Sequence, residues 1–150
     1  MQGARQSVMI ARLERTLAIL AAVVCLIITL VFWFSISPHQ SMWPLPGFYF
    51  VEIVSLSFIS TLIFVRGDPR GRLMTWVAAG VISAFSFLGA ASVGFFYLPV
   101  ALLFGVISLT WDVRNKRNRP TGLGIFFIAG IAQSALMLAA IWLHTSGTVF

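Results

Sequence analysis

The chain has 150 residues, of which 59% are apolar and 9% are charged, and its net charge is +6. Soluble domains carry about 25% charged residues and avoid large exposed apolar patches, so this composition argues against a soluble protein. The basic surplus does not indicate nucleic-acid binding, because each basic cluster borders an apolar run, as in membrane proteins with basic cytoplasmic loops. The clusters are Arg5, Arg12 and Arg15; Arg66, Arg70 and Arg72; and Arg114, Lys116, Arg117 and Arg119.

The first predicted helix covers residues 16–36 and follows a basic segment, residues 1–15. Its apolar run is longer than the core of about 7–15 residues in a signal peptide, so we interpret it as a retained membrane anchor. For the basic segment before it, a short interfacial helix is one option. Cys25 lies in the middle of the run, where a single thiol most simply serves as a small packing residue.

The second predicted helix, residues 48–65, contains the acidic residue Glu52. Ionisable residues inside a membrane are functional candidates by default, so one interpretation of Glu52 is a proton or cation site. We favour the other interpretation, that Glu52 reaches interfacial water, because it lies only about 7 Å from the outer end of the helix at 1.5 Å per residue. The hydroxyl residues of this helix scatter around its circumference, so we expect bonds within or between helices instead of a polar pore.

Residues 73–111 form an uncharged stretch of 39 residues between two basic clusters. One helix of that length would be about 58 Å long, nearly twice the thickness of the hydrocarbon layer. Basic clusters at both ends also require an even number of crossings. We therefore predict a hairpin with helices over 73–91 and 95–111. Tyr97 would then lie at a membrane interface and Pro99 near the start of a helix.

The fifth predicted helix, residues 122–143, carries Gln133 near its middle. A buried amide requires a hydrogen-bond partner on another helix, and small residues four apart allow helices to approach closely. Gly130 and Ser134 have this spacing in the fifth helix, as do Gly80 and Ala84 in the third. We predict packed faces on both helices, either within one chain or between chains.

These elements predict an all-α, single-domain, polytopic membrane protein with five transmembrane helices, a cytoplasmic N-terminus and an external C-terminus. The expected location is the cell membrane, specifically a bacterial inner membrane. The basic loop after the fourth helix is predicted to contact anionic lipid headgroups, each basic residue contributing about 1 kcal/mol near the surface. The residues involved would be Arg114, Lys116, Arg117 and Arg119.

The remaining candidate polar residues are His39 and His144, both expected near the outer surface with Glu52. A metal site needs three or four ligands with supporting groups, so we predict neither a metal site nor a cofactor. No phosphate-binding loop, HExxH motif or catalytic triad is visible, so we predict no enzymatic activity. The favoured function is a non-enzymatic accessory or scaffold subunit that binds a membrane-protein partner or a second copy. The alternative is a small transporter or channel acting as a homo-oligomer through Glu52 and Gln133.

Overall fold

The computed structural model describes residues 2–36, 45–90, 92–115 and 119–146. All regular structure in these ranges is helical, as predicted. The elements are α1 (Gln2–Ile36), α2 (Leu45–Val65), α3 (Gly71–Leu88), a 3-10 turn (Gly94–Tyr97), α4 (Leu98–Arg114) and α5 (Arg119–Thr145). The five α-helices of the described ranges are long and apolar enough to cross a membrane, which suggests a multi-pass membrane protein.

Helix α3 lies at the centre of the molecule. The first four helices form a ring in which α1 packs on α2 and α4, and α3 packs on α2 and α4. Helix α5 lies outside this ring and packs chiefly on α3. The two helices differ greatly in burial. In the most apolar stretch of 18 residues in each helix, 67% of α3 is buried but only 11% of α5.

The predicted hairpin between the third and fourth helices is present, with its boundaries shifted by about three residues. Helix α3 ends at Leu88, and the backbone N–H of Gly94 donates to the carbonyl of Gly89 at 2.8 Å to close the turn. Helix α4 starts after the 3-10 turn, and Pro99 lies in its first turn. Here proline costs no intrahelical hydrogen bond, since the first N–H groups of a helix have no partner within it.

Helix α1 is longer than its apolar run. It begins at Gln2 and continues without a break to Ile36, so the basic segment is the first part of α1 and not a separate interfacial helix. In the fourth turn of α1, Glu14 forms an ion pair with Arg114 at the end of α4. The charged first part of α1 therefore has a partner on α4, which the length of the apolar run alone does not predict.

The predicted packing of small residues is confirmed, and it occurs within one chain. Gly80 of α3 lies against the backbone of α5, where a Cβ atom on Gly80 would overlap the carbonyl oxygen of Phe126. Gly130 of α5 faces the carbonyl of Gly80 from the other side. The two helices therefore approach so closely that glycine is required at residue 80.

Candidate functional site

Charged side chains meet at one end of the helix ring, which we call the charged end. Arg72, near the start of α3, forms a bidentate ion pair with Asp112 in the last turn of α4. The indole N–H of Trp76 donates to the same carboxylate at 3.2 Å, and the guanidinium of Arg72 lies 5.7 Å from the ring centroid of Trp111. Asp112 is fully buried, so these donors replace the water that its charge would otherwise need.

Helix α5 closes this ion pair from outside. A Cβ atom on Gly122 would overlap the indole nitrogen of Trp76 and would come within 2.9 Å of the Asp112 carboxylate. Glycine at this position therefore lets the backbone of α5 lie directly on the pair.

A second ion pair joins α1 to α4 at the same end. Oε2 of Glu14 lies 2.7 Å from Nη1 of Arg114, and Glu14 is only 3% exposed. The Thr110 hydroxyl also lies beside the Glu14 carboxylate, but Oε1 of Glu14 and Nη1 of Arg114 are both buried without a well-aligned hydrogen bond in the described part of the chain. Unsatisfied buried polar atoms are rare in folded proteins and call for an explanation such as a ligand or water.

A cavity of about 200 Å³ lies beside both ion pairs, and we call it the charged-end cavity. It lies between α1, the α2–α3 loop and the ends of α3 and α4. Its polar wall contains Glu14, Arg15, Asp68, Arg72 and Arg114, and its other wall contains Ala11, Phe64, Gly67, Pro69 and Trp111.

Further along the ring, hydroxyl groups join the helices. On α2, Ser57 donates to Sγ of Cys25 at 3.3 Å, Ser60 donates to the carbonyl of Met74, and Thr61 donates to the carbonyl of Ala18. The predicted role of these side chains in holding helices together is confirmed. Cys25 is a fully buried free thiol, consistent with the predicted packing role.

Two more hydroxyl pairs link α4 and the 3-10 turn to the rest of the ring. Ser108 donates to the hydroxyl of Thr75 at 2.8 Å, and the hydroxyls of Thr29 and Tyr97 are 2.7 Å apart. Tyr97 lies at the hairpin turn as predicted, but its side chain is fully buried and points into the core. The Tyr97 hydroxyl therefore finds its hydrogen-bond partner on α1 and does not depend on interfacial water.

Glu52 and Gln133 are brought together across the structure. The amide of Gln133 donates to Oε2 of Glu52 at 3.1 Å, and this bond joins α2 to α5. Gln133 is 4% exposed, whereas Glu52 is only half-buried. The predicted partner for the Gln133 amide on another helix is thus identified. The arrangement explains how a carboxylate is tolerated in an apolar helix, without requiring a proton or cation site.

The other sequence candidates do not join this pair in the described residues. His144 is exposed in the last turn of α5, and His39 lies outside the described residues. The described ranges contain no group of three or more potential metal-ligating side chains.

Of the four residues predicted to contact lipid headgroups, only Arg114 has a described side chain. Its guanidinium is paired with Glu14 and remains 24% exposed. The structure thus gives Arg114 a protein partner in addition to any lipid it meets. Lys116 and Arg117 lie outside the described residues, as does the side chain of Arg119.

Two apolar grooves run along α5. The first has a volume of about 260 Å³ and lies between α3 and α5, with Ser83, Gly130 and Ser134 among its lining residues. The second has a volume of about 250 Å³, extends to α4 and is lined in part by Gly105. A Cβ atom on Gly105 would meet no other atom within 4 Å, so this groove is open at that point.

Glu14 and Asp112 belong to the charged end but were not among the residues predicted to be functional. The chain has only four acidic residues, and both of these lie within two positions of a basic residue at the border of an apolar run. Ionisable groups near a membrane core usually have partners. The few acidic residues beside basic clusters could therefore have been predicted to form ion pairs. The pairing itself could not be deduced, because it depends on which helices are neighbours.

Comparisons with known protein families, curated proteins and solved structures gave no match for this chain.

Proposed function

We propose that this chain is a non-enzymatic accessory or scaffold subunit of a membrane assembly, and that α5 with its two grooves is the surface on which a partner packs. The observation that carries the proposal is the exposure of α5. One face of α5 packs closely on α3, but only 11% of its most apolar stretch is buried, and a groove lies on either side of the helix.

Small residues in the grooves favour another helix as the partner. Helix association in lipid depends on close packing and hydrogen bonds, because lipid tails are as apolar as the side chains they contact. Gly105, Ser83 and Ser134 line the grooves and would allow a second backbone to approach closely.

The proposed orientation has a cytoplasmic N-terminus and an external C-terminus in a bacterial inner membrane. The charged end carries Arg66, Arg70 and Arg72 from the α2–α3 segment and Arg114 from the end of α4. A concentration of arginine at one end of the bundle favours the cytoplasmic side for that end. The lysine and arginines of residues 114–119 would then face the anionic headgroups of the inner leaflet.

The test is the mass and composition of the particle extracted in a mild detergent. We expect a stoichiometric membrane-protein partner that is lost in Gly105→Leu, since a large side chain would fill the open groove. Ser55→Leu is the matched control, because Ser55 is exposed on α2 away from the grooves. A partner retained equally by both variants, or a chain extracted alone, would contradict the proposal.

The alternative is transport by a homo-oligomer, favoured by the carboxylate of Glu52 within an apolar helix. In that case the extracted particle would contain only copies of this chain. Glu52→Gln would abolish solute or proton flux in liposomes while expression stayed unchanged. Flux that survives the substitution would leave Glu52 as a link between α2 and α5.

A further inference from the structure

We propose that the charged-end cavity is a binding site for a phosphate–ammonium zwitterion of the phosphoethanolamine type. Such a group occurs as the headgroup of an aminophospholipid and as a free small molecule. The proposal concerns a different part of the molecule from the α5 grooves and does not depend on the proposed function.

The size of the cavity exceeds what a single trapped water requires. Its volume is about 200 Å³. One water molecule takes up roughly 30 Å³ in the liquid. A small polar group several atoms long would therefore have room.

The charges around the cavity favour a ligand that carries both signs. Three arginines line it, Arg15, Arg72 and Arg114, together with the carboxylates of Glu14 and Asp68. Charges of both signs therefore line the cavity. A zwitterion can place each of its charges beside an opposite one, which a simple anion or cation cannot do.

The incomplete ion pair indicates where the ammonium would bind. Oε1 of Glu14 is a buried acceptor without a well-aligned hydrogen bond in the described residues, although the Thr110 hydroxyl lies beside this carboxylate. Glu14 is only 3% exposed and lines the cavity. A primary ammonium donates three hydrogen bonds and would satisfy this atom. A trimethylated ammonium has the same charge but no N–H, so Glu14 would distinguish the two.

The phosphate would bind at the rim of the cavity. Arg15 follows Glu14 directly in α1 and is exposed, and Arg114 is partly exposed on α4. Guanidinium groups bind phosphate oxygens through paired N–H donors. Phe64 and Trp111 form an apolar wall that would contact the carbon atoms between the two charged groups.

The experiment uses the full-length protein in detergent with equimolar phosphatidylethanolamine, phosphatidylcholine and phosphatidylglycerol of identical acyl chains. Bound lipid is counted by native mass spectrometry. We expect phosphatidylethanolamine to exceed each of the other lipids by about tenfold, the effect of one hydrogen bond to a charged group. Arg15→Gln should weaken the binding of all three lipids, because each carries the phosphate that Arg15 would contact. Arg12→Gln, which removes the same charge from an exposed residue outside the cavity, should leave binding unchanged.

Free phosphoethanolamine distinguishes the two sources of the ligand. If millimolar phosphoethanolamine displaces the bound lipid, the site recognises the zwitterion alone, and if it does not, the site is specific for the lipid. Glu14→Gln provides a second variant, for which the ratio of phosphatidylethanolamine to phosphatidylcholine should fall towards one. Equal binding of all three lipids to the wild-type protein, with no displacement by phosphoethanolamine, would overturn the proposal and leave the cavity to water.

Discussion

At the scale of single residues, the stability of the charged end depends on Asp112. Asp112→Asn removes the carboxylate charge that pairs with the guanidinium of Arg72, which is only 6% exposed. Breaking a buried ion pair from one side typically costs about 3–5 kcal/mol, and we expect a loss of that size in the free energy of unfolding. The measurement is denaturant-induced unfolding in mixed micelles.

Asp68→Asn is the matched control for this prediction. Asp68 is an exposed acid in the α2–α3 loop that accepts a hydrogen bond from the backbone N–H of Arg70, which an amide oxygen can also accept. We expect a change below about 1 kcal/mol, the usual limit for surface charges. Equal effects of the two substitutions would mean that the buried pair of Arg72 and Asp112 does not stabilise the fold.

Glu52 and Gln133 show what residue-level sequence reasoning could predict here. Each was identified as a polar group in an apolar helix, and a partner on another helix was expected for Gln133. That the two are partners of each other could not be predicted, because they lie on helices distant in sequence and α5 packs chiefly on α3. The hydrogen bond between them accounts for both polar groups at once.

At the scale of helices, the crossing of α3 and α5 requires glycine at residue 80. Gly80→Ala would place a methyl group against the carbonyl of Phe126 and push α5 outward. Overpacking of this kind typically costs about 1–3 kcal/mol, and we expect a matching fall in the free energy of unfolding. Thermal unfolding in detergent, followed by circular dichroism, measures it.

Gly105→Ala on α4 is the control with the same chemical change. Its Cβ atom would meet no atom within 4 Å, and alanine is favoured over glycine in helices by about 1 kcal/mol. We expect this variant to be as stable as the wild type or slightly more so. If Gly80→Ala were equally well tolerated, the close approach of α3 and α5 would be incorrect.

Helix boundaries were predictable where apolar runs end in loops and less so where charged residues are paired. The second and fifth helices were predicted at residues 48–65 and 122–143, within three residues of α2 and α5 at each end. Helix α4 continues to Arg114 and α1 begins at Gln2, beyond the predicted ends. In both extensions a charged side chain has a partner on another helix, as Glu14 and Arg114 illustrate. A prediction from hydropathy treats every charged residue as solvent-exposed. It therefore starts α1 too late and ends α4 too early.

At the scale of the whole molecule, the order of helices in space could not be read from the sequence. In a soluble protein an apolar stripe marks the side that faces the core, but in lipid both the core-facing and lipid-facing sides are apolar. Helix α5 has a higher mean hydropathy than α3, yet α3 is the central helix. The buried polar side chains of α3 are the better guide, because Arg72, Thr75 and Ser86 all lie inside the bundle.

The orientation of the bundle is the prediction that belongs to this scale. Ser92 is exposed in the α3–α4 hairpin, whereas Asn115 is exposed at the charged end, so the two residues report on opposite ends. The adjacent Val93 is less suitable because it packs against the core.

We expect a cysteine at residue 92 to react with a membrane-impermeant thiol reagent in intact cells. A cysteine at residue 115 should react only after permeabilisation, because the arginine-rich end faces the cytoplasm. Cys25 is fully buried and should contribute little background. The reverse labelling pattern would invert the proposed topology and place the charged-end cavity in the outer leaflet, where its ligand would have to be sought instead.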